Sequence, residues 1–205
     1  MPPTVLEILE PNPLRAKADG AIRRVKRLFG VPSYLRTEDR RVLEQVILPY
    51  FLKADDYRSV LNVGCHWFTQ GYNRPFEARK TYATIDFDPT VAKFGGKRHI
   101  VGALQNLGAH FAPASLDLIL CNGIFGWGLD SRADVEQGFQ ACHTALRPGG
   151  VLMVGWNDIP ERRPFPIEEC KSLGQFKPFL FPPFGASRYL TDTAYRHIFD
   201  FHVKG

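Results

Sequence analysis

Ser59–Gly64 reads SVLNVG: a short apolar run closed by a glycine. Such a run, without polar alternation, suits a strand covered on both faces, as in a parallel sheet. The chain must turn sharply at Gly64. A residue without Cβ there lets backbone approach a ligand at the strand's carboxyl end, where open parallel sheets bind their ligands. Further runs follow at Thr81–Phe87 (TYATIDF), His99–Leu104, Leu116–Cys121 (LDLILC) and Val151–Trp156 (VLMVGW). Between the last two, Val135, Phe139, Cys142 and Leu146 recur at helical spacing over 134–146, and RPGG at Arg147–Gly150 breaks that helix. Strand and helix alternate, which calls for a doubly wound, mainly parallel α/β sheet with helices on both faces.

Outward from this core the patterns change. Residues 1–13 hold four prolines and read as an irregular leader. Apolar residues at helical spacing predict a helix over 14–29, stopped by Gly30. A second helix is expected from Thr37, with Glu38 and Asp39 in its first turn, toward Lys53; Pro49 should kink or end it. These helices form an N-terminal cap over residues 1–55, on a domain spanning 56–205. Over 157–190, prolines alternate with Phe165, Phe176, Phe179, Phe181 and Phe184. That composition predicts an ordered loop with a short helix near Ile167–Leu173. Part of it is expected either to fold as a lid over the open end of the sheet, lining the acceptor side of the pocket, or to seal the sheet edge and helix ends with its rings. His197–Val203 (HIFDFHV) alternates apolar and polar and reads as a final, half-exposed edge strand.

The second strand ends at Asp86, about twenty residues beyond the glycine turn. A carboxylate there is positioned to accept from both hydroxyls of a ribose, whereas Asp88, just before Pro89, is better placed to cap the following helix. Four segments then occur in order: VLNVGC (Val60–Cys65), TIDFDP (Thr84–Pro89), SLDLILCNGIFGW (Ser115–Trp127) and LRPGGVLMVGW (Leu146–Trp156). In this order, and above all in the Leu-x-Pro-Gly-Gly before an apolar strand, the chain resembles the class I S-adenosylmethionine-dependent methyltransferases over about residues 56–157. The resemblance implies a seven-strand-type Rossmann-like sheet, S-adenosylmethionine as cofactor and methyl transfer as activity. It implies that Gly64, with Asn62 and Cys65 around it, forms the loop under the methionine part. It implies that Asp86 holds the ribose, that Phe87 lies against the adenine, and that Asn122 and Gly123 face cofactor and substrate.

The chain departs from that pattern in two places. The family loop usually carries acidic-x-Gly-x-Gly-x-Gly, whereas Asn62 here replaces the acid and Cys65, His66, Trp67 and Phe68 follow Gly64. Ala103 stands where an acidic residue often meets the adenine amino group, and Gln105 or Asn106 carries an amide able to replace it. A nicotinamide-binding domain is disfavoured, because G-x-G-x-x-G for a pyrophosphate is absent. His66 is a candidate general base, and Asn157 and Asp158, after the fifth strand, are candidate acceptor-binding groups, Asp158 also a weak catalytic candidate. The altered loop motivates a second reading: a binding or regulatory protein that kept the fold without catalysis.

The chain has 205 residues, 44% hydrophobic and 23% charged, which suits one globular unit. Four cysteines without paired spacing argue against a disulfide scaffold or a zinc site, and no metal is expected. No nucleophile elbow or P-loop is present. No apolar run approaches the ~20 residues of a membrane span, and the first residues lack a signal-peptide pattern, so a cytoplasmic setting is expected. The net charge of +5 is concentrated in Arg15, Lys17, Arg23, Arg24, Lys26 and Arg27, read as a solvated helix face because no stacking aromatics interleave. Nucleic acid is therefore disfavoured as partner. Cys121-Asn122-Gly123-Ile124 also lacks the Asn/Asp-Pro-Pro-aromatic motif of base amino methylation. A small or carbohydrate-linked acceptor is expected. The residues name neither the acceptor nor an oligomeric state.

Overall fold

The structure, a computed structural model, describes residues 37–205 together with Ile22 and Val25. The helix expected over 14–29 lies outside the described residues save for those two, which are helical and exposed.

Eight strands form one sheet: β1 (Ser59–Val63), β2 (Thr81–Asp86), β3 (His99–Val101), β4 (Leu116–Asn122), β5 (Leu146–Asn157), β6 (Lys177–Pro178), β7 (Arg188–Leu190) and β8 (His197–Val203). Their order is β3-β2-β1-β4-β5-β8-β6, with β7 also on β8. β1 to β5 pair in parallel, and β8 runs antiparallel to β5. Successive side chains point to opposite faces of a strand, so Leu61, Ile119, Cys121, Leu152 and Val154 enter one core layer. Val60, Leu118, Leu120, Val151 and Met153 enter the other.

The first helix, α1, comprises an α-helical turn Glu38–Val42, a π-helical segment Leu43–Ile47 and an α-helical end Leu48–Lys53. Pro49 neither ends nor breaks it. Proline has no N–H, and its ring crowds the carbonyl one turn back. The wider π turn, closed by the Leu48 N–H on the Leu43 carbonyl, puts Pro49 into the first turn of a fresh α-helical stretch. Val42, Leu43, Ile47, Leu48 and Phe51 pack into the Val60/Leu118 layer. A short helix, α2 (Asn73–Glu77), precedes β2, and α3 (Arg132–Ala145) covers the other face with Val135, Phe139, Cys142 and Ala145. Ser131 caps α3, its Oγ accepting the Asp134 N–H at 3.1 Å and donating back to Asp134 Oδ2 at 2.6 Å.

Three expectations are corrected. RPGG does not precede the fifth strand but lies inside it. Leu116 faces Leu146 and Leu118 faces Val151, so Arg147–Gly150 bulge out between two paired positions, with Gly149 at φ +74°. Arg147 donates to Asp117, whose other oxygen takes the N–H groups of Arg58 and Ser59. β8 is not an edge strand. β5 lines one side of it and β6 and β7 the other, and residues 197–201 are buried.

The Phe/Pro segment forms short 3-10 turns at Ile167–Glu169 and Leu173–Gln175 rather than one helix. Its rings seal the sheet: Phe165 meets Phe125 edge-on at 5.4 Å, and Phe181 stacks on Phe201 at 4.3 Å. Apolar area beneath β6–β8 and beside α3 needs cover, and these rings supply it.

Glu136 of α3 ties this segment down by accepting the Lys171 and Ser172 N–H groups, both at 2.8 Å. Desolvation acts to raise its carboxyl. The two N–H bonds, with the side chains of Ser172 and Cys170, outweigh that and hold it at about 2. A carboxylate depressed on folding adds stability above its ordinary range and loses it on acidification. The melting temperature is therefore expected to fall more steeply in the wild type than in Glu136→Gln as pH drops from about 4.5 toward 2. Parallel curves in a pH series of melts would show that this anchor carries no pH-dependent stability.

Candidate active site

The parallel strands end along one edge, and a cavity of about 460 Å³ lies across it. Gly64, Cys65 and His66 after β1 line it, as do Asp86 and Phe87 after β2, Gln105 after β3, Asn122 and Gly123 at the end of β4, and Asn157 at the end of β5. α1 contributes Asp39 and Arg40, and β8 contributes His197 from its first residue. No residue from 158 to 190 lines it.

Gly64 has φ +85°, and a Cβ there would stand 3.1 Å from Ile124 Cγ2. Its N–H donates to the Ile85 carbonyl, which turns the chain across the top of β2. The Cys65 N–H donates to Asp86 Oδ2 at 2.6 Å, and the Asp88 N–H to Asp86 Oδ1 at 2.9 Å. Each carboxylate oxygen keeps a further lone-pair site, so Asp86 can accept two more donors side by side. The Cys65 thiol is pushed up to about 12, first by burial and then by the Asp86 charge, so it stays protonated. What Cys65 presents here is its backbone. Phe87 is 65% exposed beside the cavity, with one ring edge against Gly128. Gln105 lines the cavity, while Asn106 does not.

Asn122 lies across β5 because its register partner is Gly155, where any Cβ would collide with Asn122 Oδ1. Glycine inside a buried strand marks such a close approach. Asn122 Oδ1 is 3.1 Å from His197 Nε2, and an amide oxygen only accepts, so Nε2 carries the proton. Asn122 Nδ2 is buried and has no hydrogen-bond partner among the described residues. His197 is 4% exposed. Burial holds its imidazole down at about 4, with Asp39 pulling it up and Arg40 pushing it down. It is neutral at neutral pH. Asn157 accepts from Trp127 Nε1 and donates to the Tyr195 carbonyl, both at 3.1 Å.

Two candidates from the sequence are not at the cavity. Asn62 is buried under the loop and donates to the Gly64 carbonyl at 3.0 Å, so it shapes the turn from behind. Asp158 points away and pairs with Arg163 at 2.6 Å and Arg196 at 3.2 Å. The main chain turns after Asn157, which sends the next side chain outward. His66 lines the cavity, with its N–H on Thr69 Oγ1 at 2.9 Å and its ring 4.5 Å from Phe68. Asp39, Arg40, Trp127 and His197 are among the lining residues that sequence reading missed. Gly155 within VLMVGW was a usable signal; the others needed the sheet order.

Residues 61–154 match a family model described as a methyltransferase domain. Malonyl-acyl-carrier-protein O-methyltransferase 1 of Coxiella burnetii is 36% identical over 69 residues, 34% of this chain. The match spans 22% of that relative's length. A TehB-like S-adenosylmethionine-dependent methyltransferase from Corynebacterium glutamicum is similar in fold, with a TM-score of 0.57 and 16% identity over 95% of this chain and all of that one. N-methyltransferase NodS from Bradyrhizobium japonicum, in complex with S-adenosyl-L-homocysteine, gives 0.55 and 14% over 82% of this chain and 93% of that one. Residues 61–154 thus match a methyltransferase domain, and the solved structures share its fold; with the four ordered segments and the glycine turn beside Asp86, these findings support a class I S-adenosylmethionine-dependent methyltransferase family.

Proposed function

We propose that this chain moves a methyl group from S-adenosylmethionine to a small-molecule nucleophile that enters at the Trp127, Asn157 and His197 end of the cavity. The observation that carries this is the continuity of the cavity from Asp86 and Phe87, past Gly64, to Asn122 and His197. Strands lie about 4.8 Å apart, so the ends of β2 and β5 are separated by about 14 Å. That length suits a nucleoside with an extended arm, followed by the reacting group of an acceptor.

The residues fit the cofactor. Asp86 has two open lone-pair sites for a ribose diol, Phe87 offers an uncovered ring to the adenine, and the Gln105 amide stands where the base edge would come. Gly64 leaves room for the sulfonium arm. When bound, S-adenosylmethionine supplies a methyl group activated by a positive sulfur. The protein's task is then alignment and exclusion of water. His197, neutral and held by Asn122, is suited to orient an acceptor by hydrogen bonding, and His66 is the candidate to take a proton. No base is required when the acceptor atom is already nucleophilic.

The Coxiella relative acts on a malonyl acyl-carrier protein, and its partial match extends the acceptor classes worth testing to carboxylates. Titration calorimetry with S-adenosylhomocysteine, followed by a turnover assay on carboxylate, amine, hydroxyl and sugar acceptors, tests the reading. Binding with release of S-adenosylhomocysteine on one class is expected. Binding with no turnover on any acceptor would favour a catalytically silent binding protein.

A further inference from the structure

Six basic residues, Arg15, Lys17, Arg23, Arg24, Lys26 and Arg27, fall within residues 14–29 beside a single acid, Asp19. The same stretch carries an apolar face. On the helical repeat predicted for it, about 3.6 residues per turn, Leu14, Ile22, Val25, Leu28 and Phe29 fall within about 120° of one another, with Ala18 and Ala21 among them and Val25 near the middle. Arg15 and Lys17 border this stripe on either side, and the other four cations occupy the rest of the circumference. The structure describes two residues of the stripe, Ile22 and Val25. Both are helical, and they are 54% and 53% exposed. By contrast Val42, Leu43 and Ile47, which face the core from α1, are 5%, 2% and 0% exposed. The middle of the stripe is therefore open where a helix belonging to the core would bury it.

We propose that residues 14–29 are a membrane-surface element: a basic amphipathic helix whose apolar stripe enters the interface of an anionic lipid leaflet while its cations meet the headgroups. Three features of the segment select a lipid surface. Its charge is nearly all of one sign, which suits an anionic plane. Arg15 and Lys17 stand at the borders of the stripe, where their aliphatic stems can lie along acyl chains with the charged ends among phosphates. The stripe is also shallow, because Ala18 and Ala21 lie among its larger side chains. It fits a plane better than the pockets of a protein groove, which take a few bulky anchors. Nucleic acid is a poorer match. A basic face that binds it interleaves stacking rings with its cations, and the aromatic residue of this segment, Phe29, lies on the apolar side. Residues 30–36 join the segment to Thr37, which lines the cavity, so the chain can place at most about 30 Å between the two. Binding through this segment thus brings the cavity to the membrane. The proposal does not depend on the methyl-transfer reading.

Co-sedimentation of the full chain with lipid vesicles tests this. One set of vesicles is phosphatidylcholine alone, and the other is phosphatidylcholine with phosphatidylserine in equal amounts. The wild type is expected to bind the anionic set about tenfold more tightly or better, and to be released by added salt, which screens surface charge. Ile22→Glu combined with Val25→Glu keeps all six cations and puts charge into the stripe, so it should lose about tenfold or more of that affinity. Arg23→Gln combined with Arg24→Gln leaves the stripe intact and should also lose about tenfold or more, since each cation near an anionic surface adds several-fold. Melting curves that match the wild type report that both variants are folded, as expected for substitutions at exposed Ile22 and Val25. Equal binding to the two vesicle sets, wild-type affinity in either double variant, or no binding to vesicles of either kind overturns the proposal. Retention by single-stranded RNA without vesicle binding would assign the cations to nucleic acid and overturns it as well. Turnover plays no part in the readout, so failure of the methyl-transfer reading would leave this result standing.

Discussion

Asp86→Ala is expected to lower the affinity for S-adenosylhomocysteine by one to two orders of magnitude while leaving the sheet folded. The carboxylate closes β2, and each of its oxygens already receives one backbone N–H, from Cys65 and from Asp88. One lone-pair site per oxygen remains, which matches the two hydroxyls of a ribose. Hydrogen bonds to a charged acceptor are worth about 1.5–3 kcal/mol, or roughly 10- to 150-fold in Kd. The substitution also frees the Cys65 N–H, so the loop after Gly64 loses a tie, which adds to the loss. Calorimetry with a melting curve on the same sample checks this. A folded variant that binds like the wild type would sink the ribose assignment.

Gly64→Val should remove cofactor binding altogether and lower stability. With φ at +85°, position 64 lies in a region that a β-branched residue avoids, a strain of about 1–3 kcal/mol. The new Cβ would press on Ile124 Cγ2 at 3.1 Å, and the branches would enter the space above the turn. In a chain of this length each kcal/mol lost lowers the melting temperature by about 2–4 °C. Gly64→Ala carries the strain without the branches, so it should bind weakly where Val does not bind. Comparing both variants by circular dichroism and titration separates strain from blockage, and a folded Val variant with normal affinity would refute the loop's role.

The strands that carry the site were legible because burial on both faces leaves a local mark. SVLNV, TYATID, LDLILCN and VLMVGW are apolar runs with nothing else to be; the first three end on residues that line the cavity, Val63, Asp86 and Asn122, and the fourth leads into Asn157, which lines it too. Asp86 was legible for the same reason: its place at a strand end follows from counting. β8 was misjudged because HIFDFHV alternates, and alternation reports two unlike environments without saying which elements create them. Here Trp156 Nε1 and Arg188 satisfy Asp200 inside the sheet, at 2.8 and 2.6 Å, so a polar residue is buried with partners rather than exposed. The Phe/Pro segment left a lid and a seal both open, because its composition says that the rings must be covered, not by what.

The sequence by itself determined the alternation of elements, the parallel sheet, the glycine turn and the carboxylate at the end of β2, all of which depend on residues within a few positions of each other. Only the tertiary structure decided the far wall of the cavity. Asp39 reads, with Glu38, as an ordinary acidic helix start, nothing local singles out Arg40, and His197 reads as one polar position in a strand. They meet Asn122 and Gly123 because α1 packs on the Val60/Leu118 layer and β8 inserts beside β5 in the opposite direction, bringing its first residue to the carboxyl edge of the parallel strands. Contacts between residues 75 or more positions apart, such as His197 with Asn122, leave no local pattern, since they arise from strand order and packing rather than from the periodicity of any one segment.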